Sequence, residues 1–538
     1  MKKLMSTGIL LIFFSCVVWT AMGQRYREGV KYYKCGIPSM AKAMLQDELK
    51  KGGDTQAETC YYLGELFFSE KQKDSADYYY KKGLEADPLY VFNKIGEGKV
   101  LLSSDPVAAE KLFSEVMSGK NKKNSDIVLA IAKAYAAYGA DKAGEYLEKA
   151  KDIDSHNPDI YVFLGDRMAA AQKNGDACSQ YEQAVHFDPS CTDAYVKFAR
   201  IYANTNPQVG LDMLQKLEVS DPESVIAARE MAELYYMSSR YKEAAEAYEK
   251  CIVSPYCTDK ERSRFATILF YYGNQARSLK LADEVLKNEP KSVVMQRIRM
   301  YDLIELKDYS RAMETARTFF SSTPADAFIG QDYMHYGRLL VAEKDFAQAT
   351  EQYKKALALD PTRVELYKEL ASASEKLNQY DSAAIYYDRF IEKGEKLVTV
   401  ADYFMLGKCH YFAGNAADST EAGIAARKIH MQAADSVFAY VAEKAPDSYL
   451  GNFWRARANS ALDPETVEGL AKPYYEAAAT ILEQDAKKNL RMLVECYSYL
   501  GYYHYLKNEI PQSKEYWNKI LTLDPQNDVA QKALAGLK

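Results

Sequence analysis

Through most of this chain apolar and aromatic residues recur three and four positions apart, with polar residues between them. That spacing gathers the apolar residues on one stripe of a helix. The stripes alternate with short polar turns, so the pattern predicts antiparallel helix pairs. A small residue marks each pair. Gly64, Gly98, Ala132, Gly165, Ala199, Ala232 and Ala266 follow one another at steps of 34, 34, 33, 34, 33 and 34 residues. The ladder continues through Met300, Gly337, Ala371, Gly407, Ala458 and Gly501. A fixed period of this size predicts a stack of repeated units and not a single globular core.

The spacing inside a unit is more specific. Ala76, Tyr80, Gly83 and Pro88 stand 12, 16, 19 and 24 residues after Gly64. Gly165, Ala177, Tyr181, Ala184 and Pro189 repeat those offsets, as do Gly337, Ala349, Tyr353, Ala356 and Pro361. Gly501, Ser513, Trp517, Ile520 and Pro525 keep them with Ser and Ile in two small slots. Packed helix axes lie about 8–10 Å apart, and the closer crossings need small side chains. Gly or Ala is therefore expected where the two helices meet, with a large ring beside it. Asp-Pro at 87–88, 188–189, 360–361 and 524–525 is expected to close the second helix, because proline cannot continue it.

This pattern resembles the tetratricopeptide repeat (TPR) family over nearly all of residues 25–538. Single units depart from it: Met300 fills a small slot, and Ala282 stands where another unit has a ring. The resemblance implies an all-α fold, an α-α superhelix (TPR solenoid) of about 13 helix pairs. A partial pair precedes them, with one helix from Tyr26 to Cys35 and a second that starts at Pro38 and ends before Gly52-Gly53. Asp528 to Leu537 is expected to cap the far end. The solenoid is expected to run unbroken over residues 24–538. Two places break its period: an insertion near 416–432, expected to lengthen a second helix, and a long turn at 463–473.

Composition changes this picture little. The chain has 538 residues, 48% hydrophobic and 27% charged, with formal net charge −6. No basic block stands out, so nucleic acid is not an expected partner. Tyr is abundant, at 44 residues, which the ring slots of the repeat account for. Residues 1–23 read as a secretory signal peptide: Lys2 and Lys3, an apolar run from Gly8 to Val18, then Ala21-Met22-Gly23. A rival reading places lipid processing at Cys16. The chain is thus expected to be exported, periplasmic or outer-membrane associated, with no transmembrane segment once the leader is removed. Cys251 and Cys257 are the sequence-near candidates for a disulfide, against a packing role.

Catalytic motifs are not found. Gly96-Glu97-Gly98-Lys99-Val100 lacks the glycine spacing and hydroxyl of a phosphate-binding loop. No metal-ligand spacing occurs, and no cofactor is expected. The expectation is a non-enzymatic scaffold. By the TPR resemblance, the groove is lined by residues one, four and five after each small slot and three before it. Late in the chain these are Phe404, Lys408, Tyr411, Phe412, Arg455, Asn459, Tyr502 and Tyr505, which mix rings with a cation and an amide. Arg455 with Asn459 resembles part of the carboxylate clamp of chaperone-binding TPR domains. The expected role is a protein-protein interaction scaffold of the bacterial cell envelope, binding a protein or peptide in the groove. The alternatives are a glycan-binding accessory protein similar to the SusD-like group, or an outer-membrane assembly or secretion factor.

Overall fold

The computed structural model describes residues 26–537. The leader at 1–23 and Cys16 lie outside the described residues. Among those described, every regular element is a helix or a short 3-10 turn, and no strand occurs. Contacts divide the chain into two compact units that meet at Leu306 and Lys307.

The first unit holds seven complete helix pairs, from Gln56–Ser69 with Lys73–Ala86 to Asp259–Tyr272 with Gln275–Asn288. The second holds five, from Gly330–Ala342 with Phe346–Leu359 to Leu490–Leu506 with Ile510–Leu523. Val293–Glu305 and Tyr309–Ser322, one repeat by sequence, fall on either side of the division. These make the thirteen pairs that the period predicts. Asp528–Gly536 follows as a final helix, and Ala530 and Leu537 bury against Trp517 and Ile520.

The small residues work as the spacing predicts. A Cβ at Gly337 would sit 2.5 Å from the Tyr353 ring, and one at Gly501 would sit 2.7 Å from Trp517. Where serine takes the second small slot, its hydroxyl finds a partner. Ser278 donates to the Ala266 carbonyl at 2.9 Å, and Ser513 to the Gly501 carbonyl at 2.7 Å. The ring slot prefers tyrosine for a related reason. Tyr80 donates to Glu65 at 2.7 Å and Tyr181 to Asp166 at 2.9 Å, and each acid stands one residue after the small slot.

The turn between the paired helices is also periodic. Lys71, Gln172, Ser239, Lys307, Lys344, Asn378 and Asn508 have φ between 58° and 65°, each seven residues after a small slot. Gly139 and Gly273 take that place in two further units. Asp105 and Asn206 hold the same place but are extended, at φ −144° and −148°. Proline follows each of these two, and it pushes the residue before it out of the left-handed region.

One part of the chain departs from a plain stack of repeats, in which each pair buries against its neighbours alone. The N-terminal hairpin, helical at 26–34 and at Pro38–Lys51, does more. Lys34 pairs with Asp159 at 2.8 Å, Arg200 donates to the Cys35 carbonyl at 2.6 Å, and Ser39 donates to Glu261 at 2.9 Å. Tyr32, Ile37, Met40 and Leu45 join one apolar core with Leu63, Val196, Ala232 and Phe265. The physical reason is that a short terminal pair has too little apolar area to hold its place through one neighbour, and the first helices of later repeats supply more.

Candidate functional site

The first helices of the repeats carry the polar side chains that sequence reading assigns to the groove. In the first unit these pair mostly with each other. Lys99 meets Glu65 at 2.9 Å, Lys197 meets Asp166 at 2.7 Å, and Arg200 grips Glu230 at 2.8 Å through two nitrogens. Arg264 binds Glu233 with two nitrogens and lies over the Tyr236 ring, 4.1 Å from its centre. Burial alone would raise the Glu65 carboxyl. Lys99, with hydroxyls from Tyr80 and Tyr33, holds it below the usual carboxylate range instead. This also explains the false phosphate-loop signal, because Lys99 is an ion-pair partner and Gly96 and Gly98 make room for the rings of Tyr80 and Phe113.

The hairpin at 26–51 lies on this face. Its Tyr33 donates to Glu65 at 3.3 Å, and Tyr256 donates to its Asp47 at 2.8 Å. Beside the hairpin's turn the face opens into a cavity of about 780 Å³. Arg200, Arg229, Glu230, Glu233, Lys260 and Arg264 give it polar walls, and Leu214, Leu234, Met237 and Val294 give it apolar ones. Tyr241 and Tyr271 stack at 5.2 Å close by, and Tyr236 meets Tyr271 edge-on at 6.0 Å. Sequence reading passed over this region in favour of the late repeats. The signal was present in Arg200 and Glu233, each one after a small slot, and in Arg229, three before one.

The second unit gathers four of the eight predicted residues around a fifth that was not predicted. Phe404, Tyr411 and Phe412 each meet the Trp454 ring, at 6.0, 5.3 and 6.0 Å between centres. The Lys408 ammonium sits about 6 Å from three of these rings, those of Phe404, Phe412 and Trp454. Arg457 lies over the Trp454 ring at 4.9 Å and is held to Glu495 by two bonds of 2.7 Å. Trp454 falls four residues before its small slot, outside the offsets assigned to the groove.

Arg455 and Asn459 face elsewhere. Arg455 bonds Asp435 at 2.9 Å and Tyr474 at 3.0 Å, and Asn459 bonds Asp435 at 2.7 Å. The carboxylate that this pair holds is the chain's own. Asp435 belongs to the lengthened helix Glu421–Lys444, which follows Val400–Ala416. Residues 416–432 thus end one helix, cross a short turn and build the first half of the next. On the far side of this hairpin His410 and His430 bring Nδ1 atoms within 3.2 Å, and His430 Nε2 lies 3.0 Å from Asp381. Burial, with His430 adding to it, lowers His410 to about 4. The turn at 463–473 is organised by Asp463, whose carboxylate accepts from the backbone of Val467 and Gly469.

Tyr502 and Tyr505 form a separate place. Both are half exposed and line a cleft of about 220 Å³ with Trp517, Lys532 and Leu537. Among the described residues no group of three or more His, Cys, Asp or Glu is placed to hold a metal ion. Cys251 and Cys257 are both buried and unbridged. No helix of the described residues is long and apolar enough to cross a membrane.

A tetratricopeptide repeat family model matches residues 340–395, the segment that contains Ala349, Tyr353 and Ala356. Residues 340–395 are tetratricopeptide repeat sequence. Among solved structures, this chain is similar to the C-terminal part of a TPR repeat-containing protein from Cytophaga hutchinsonii. That match has 28% identity and a TM-score of 0.39, covering 51% of this chain and 99% of the other. It is also similar to a tetratricopeptide repeat protein from Parabacteroides merdae, at 17% identity and a TM-score of 0.33, covering 46% and 98%. A curated relative is the human protein O-mannosyl-transferase TMTC1, 20% identical over 183 residues, or 34% of this chain. The match spans only 20% of that protein's length. TPR proteins in general mediate protein-protein interaction.

Proposed function

We propose that this TPR chain is a non-enzymatic scaffold of the bacterial cell envelope that holds a protein partner on the face lined by the first helices of its repeats. The observation that carries the reading is the hairpin at 26–51. The first unit already uses this face to hold a helix pair, by burying Tyr32, Ile37, Met40 and Leu45 and by pairing Lys34 with Asp159. In the second unit Phe404, Lys408, Tyr411 and Phe412 around Trp454 offer rings and a cation on preformed helices, which limits the entropy lost on binding. The envelope location rests on the leader at 1–23. The transferase activity named for the human relative is not carried over, because the shared part is a fifth of that protein.

The test is capture from envelope extract with the full mature chain and with Lys408→Ala/Phe412→Ala. A specific protein recovered by the former and lost with the latter supports the reading. Equal recovery with both, or hydrolase or transferase activity in the purified chain, counts against it. A glycan occupant is the second reading, favoured by the half-exposed Tyr271, whose ring meets Tyr236 beside Arg264 of the large cavity. Binding on a glycan array, lost in Tyr271→Ala, would select it.

A further inference from the structure

The hairpin at 26–51 is bound by its turn as well as by its apolar side. Arg200, fixed by Glu230, donates to the Cys35 carbonyl where the helix at 26–34 ends. Glu261 accepts from Ser39 in the first turn of Pro38–Lys51. A cation at a helix C-terminus and an anion at a helix N-terminus both match the helix dipoles, so the face reads the two helix ends together. Gly36 makes the turn at φ 65°, and a Cβ there would lie 3.3 Å from the Arg200 guanidinium. The hairpin leaves this site through Gly52 and Gly53, at φ 71° and 127°, and a Cβ at Gly53 would meet nothing within 4 Å. The site therefore holds its occupant through a buried apolar face and a few charged points at the turn, and the occupant joins the repeats through a two-glycine connection.

We propose that residues 26–51 are an autoinhibitory strap. They fill, within the same chain, the place where the first unit takes a helical hairpin from a protein partner. That partner has the strap's own chemistry: an apolar face to replace Ile37, Met40 and Leu45, a helix end to meet Arg200, and a cation to meet Asp159. The cavity of about 780 Å³ is its point of entry, because it shares Arg200 and Glu230 with the strap's anchor. Binding there competes for the arginine that fixes the turn, and the strap swings out on Gly52 and Gly53. This rests on the first-helix face being a docking surface for protein. The second unit could serve as a scaffold without it.

Hydrogen exchange on the full chain tests the strap without needing a partner. The amides of 26–51 are expected to exchange at least tenfold faster than those of Lys73–Ala86 and Asn174–Phe187. Gly36→Ala should speed the strap by a further tenfold and leave those two helices unchanged. A Lys34→Cys/Asp159→Cys chain bridged by a short bismaleimide should slow the strap to the rate of the repeats, with unbridged wild type as control. If 26–51 exchanges at one rate with the repeat helices in wild type, and bridging does not change it, the strap is a permanent part of the core and the proposal fails. That result would leave the partner capture through Lys408 and Phe412 untouched, so the two readings fail separately.

Discussion

At the scale of single residues, the repeat is a set of packing contracts between positions. Gly337 is glycine because the Tyr353 ring occupies the space a Cβ would need. Gly337→Val should destabilise the chain by roughly 1–3 kcal/mol, the usual cost of overpacking, read by urea denaturation followed by circular dichroism. Lys344 illustrates the opposite case. Its left-handed φ of 65° strains a side chain but not a glycine. Lys344→Gly should stabilise by about 0.5–1 kcal/mol in the same assay, less the entropy that glycine adds to the unfolded chain. Asp302 gives a pH signature. Burial pushes its carboxyl up to about 7, against a smaller opposing pull from Ser278, while an unfolded aspartate titrates near 4. Between those values the folded chain holds a proton that the unfolded chain has lost. Stability should therefore fall as pH rises from about 4 to about 7, and Asp302→Asn should flatten that fall.

At the scale of elements, the insertion changes what sequence reading expected of Arg455 and Asn459. A helix long enough to reach back supplies Asp435, and the two residues that resemble a clamp for a partner's carboxylate close on it. Asp435→Ala should cost about 1–3 kcal/mol by removing the carboxylate that Arg455 and Asn459 share, which leaves them only Tyr474 and the Arg455 carbonyl, measured as a shift in the urea midpoint of the second unit. The same hairpin carries the opposite pH dependence to Asp302. His410, lowered to about 4, stays neutral when folded while an unfolded histidine protonates near 6.5. The pairing of Val400–Ala416 with Glu421–Lys444 should weaken as pH falls from about 6.5 to about 4, and His410→Phe should remove the effect, read by hydrogen exchange in 421–432.

At the scale of the whole molecule, the repeats and the hairpin at 26–51 answer different questions. Within each unit, paired helices with a period of about 34 residues set their first helices on one face. The hairpin then decides how much of that face is open. In the first unit it covers Glu65, Asp159, Arg200 and Glu261, and what stays open is the cavity beside Arg229 and Glu233. In the second unit the rings around Trp454 have no such cover among the described residues. Partner capture is therefore expected to depend first on Lys408 and Phe412, and only after release of 26–51 on Arg200.

The order of small, ring and proline positions was enough to give thirteen pairs, their turns and the capping helix, because each of those depends on residues within one period of each other. The approximate ends of the N-terminal hairpin were legible for the same reason. Its binding place was not. Lys34 and Asp159 are 125 residues apart, and Ser39 and Glu261 are 222 apart, so no local spacing connects them. Trp454 was missed because the groove offsets describe where a backbone points and not which ring fills the space between two long helices. Asp435 was missed because its reach depends on the length of an inserted helix. Local periodicity specifies the elements, since a helix pair buries its own stripe. Only tertiary packing assigns each charged residue a partner, since oppositely charged groups from distant repeats meet just where the stacked backbone brings them together.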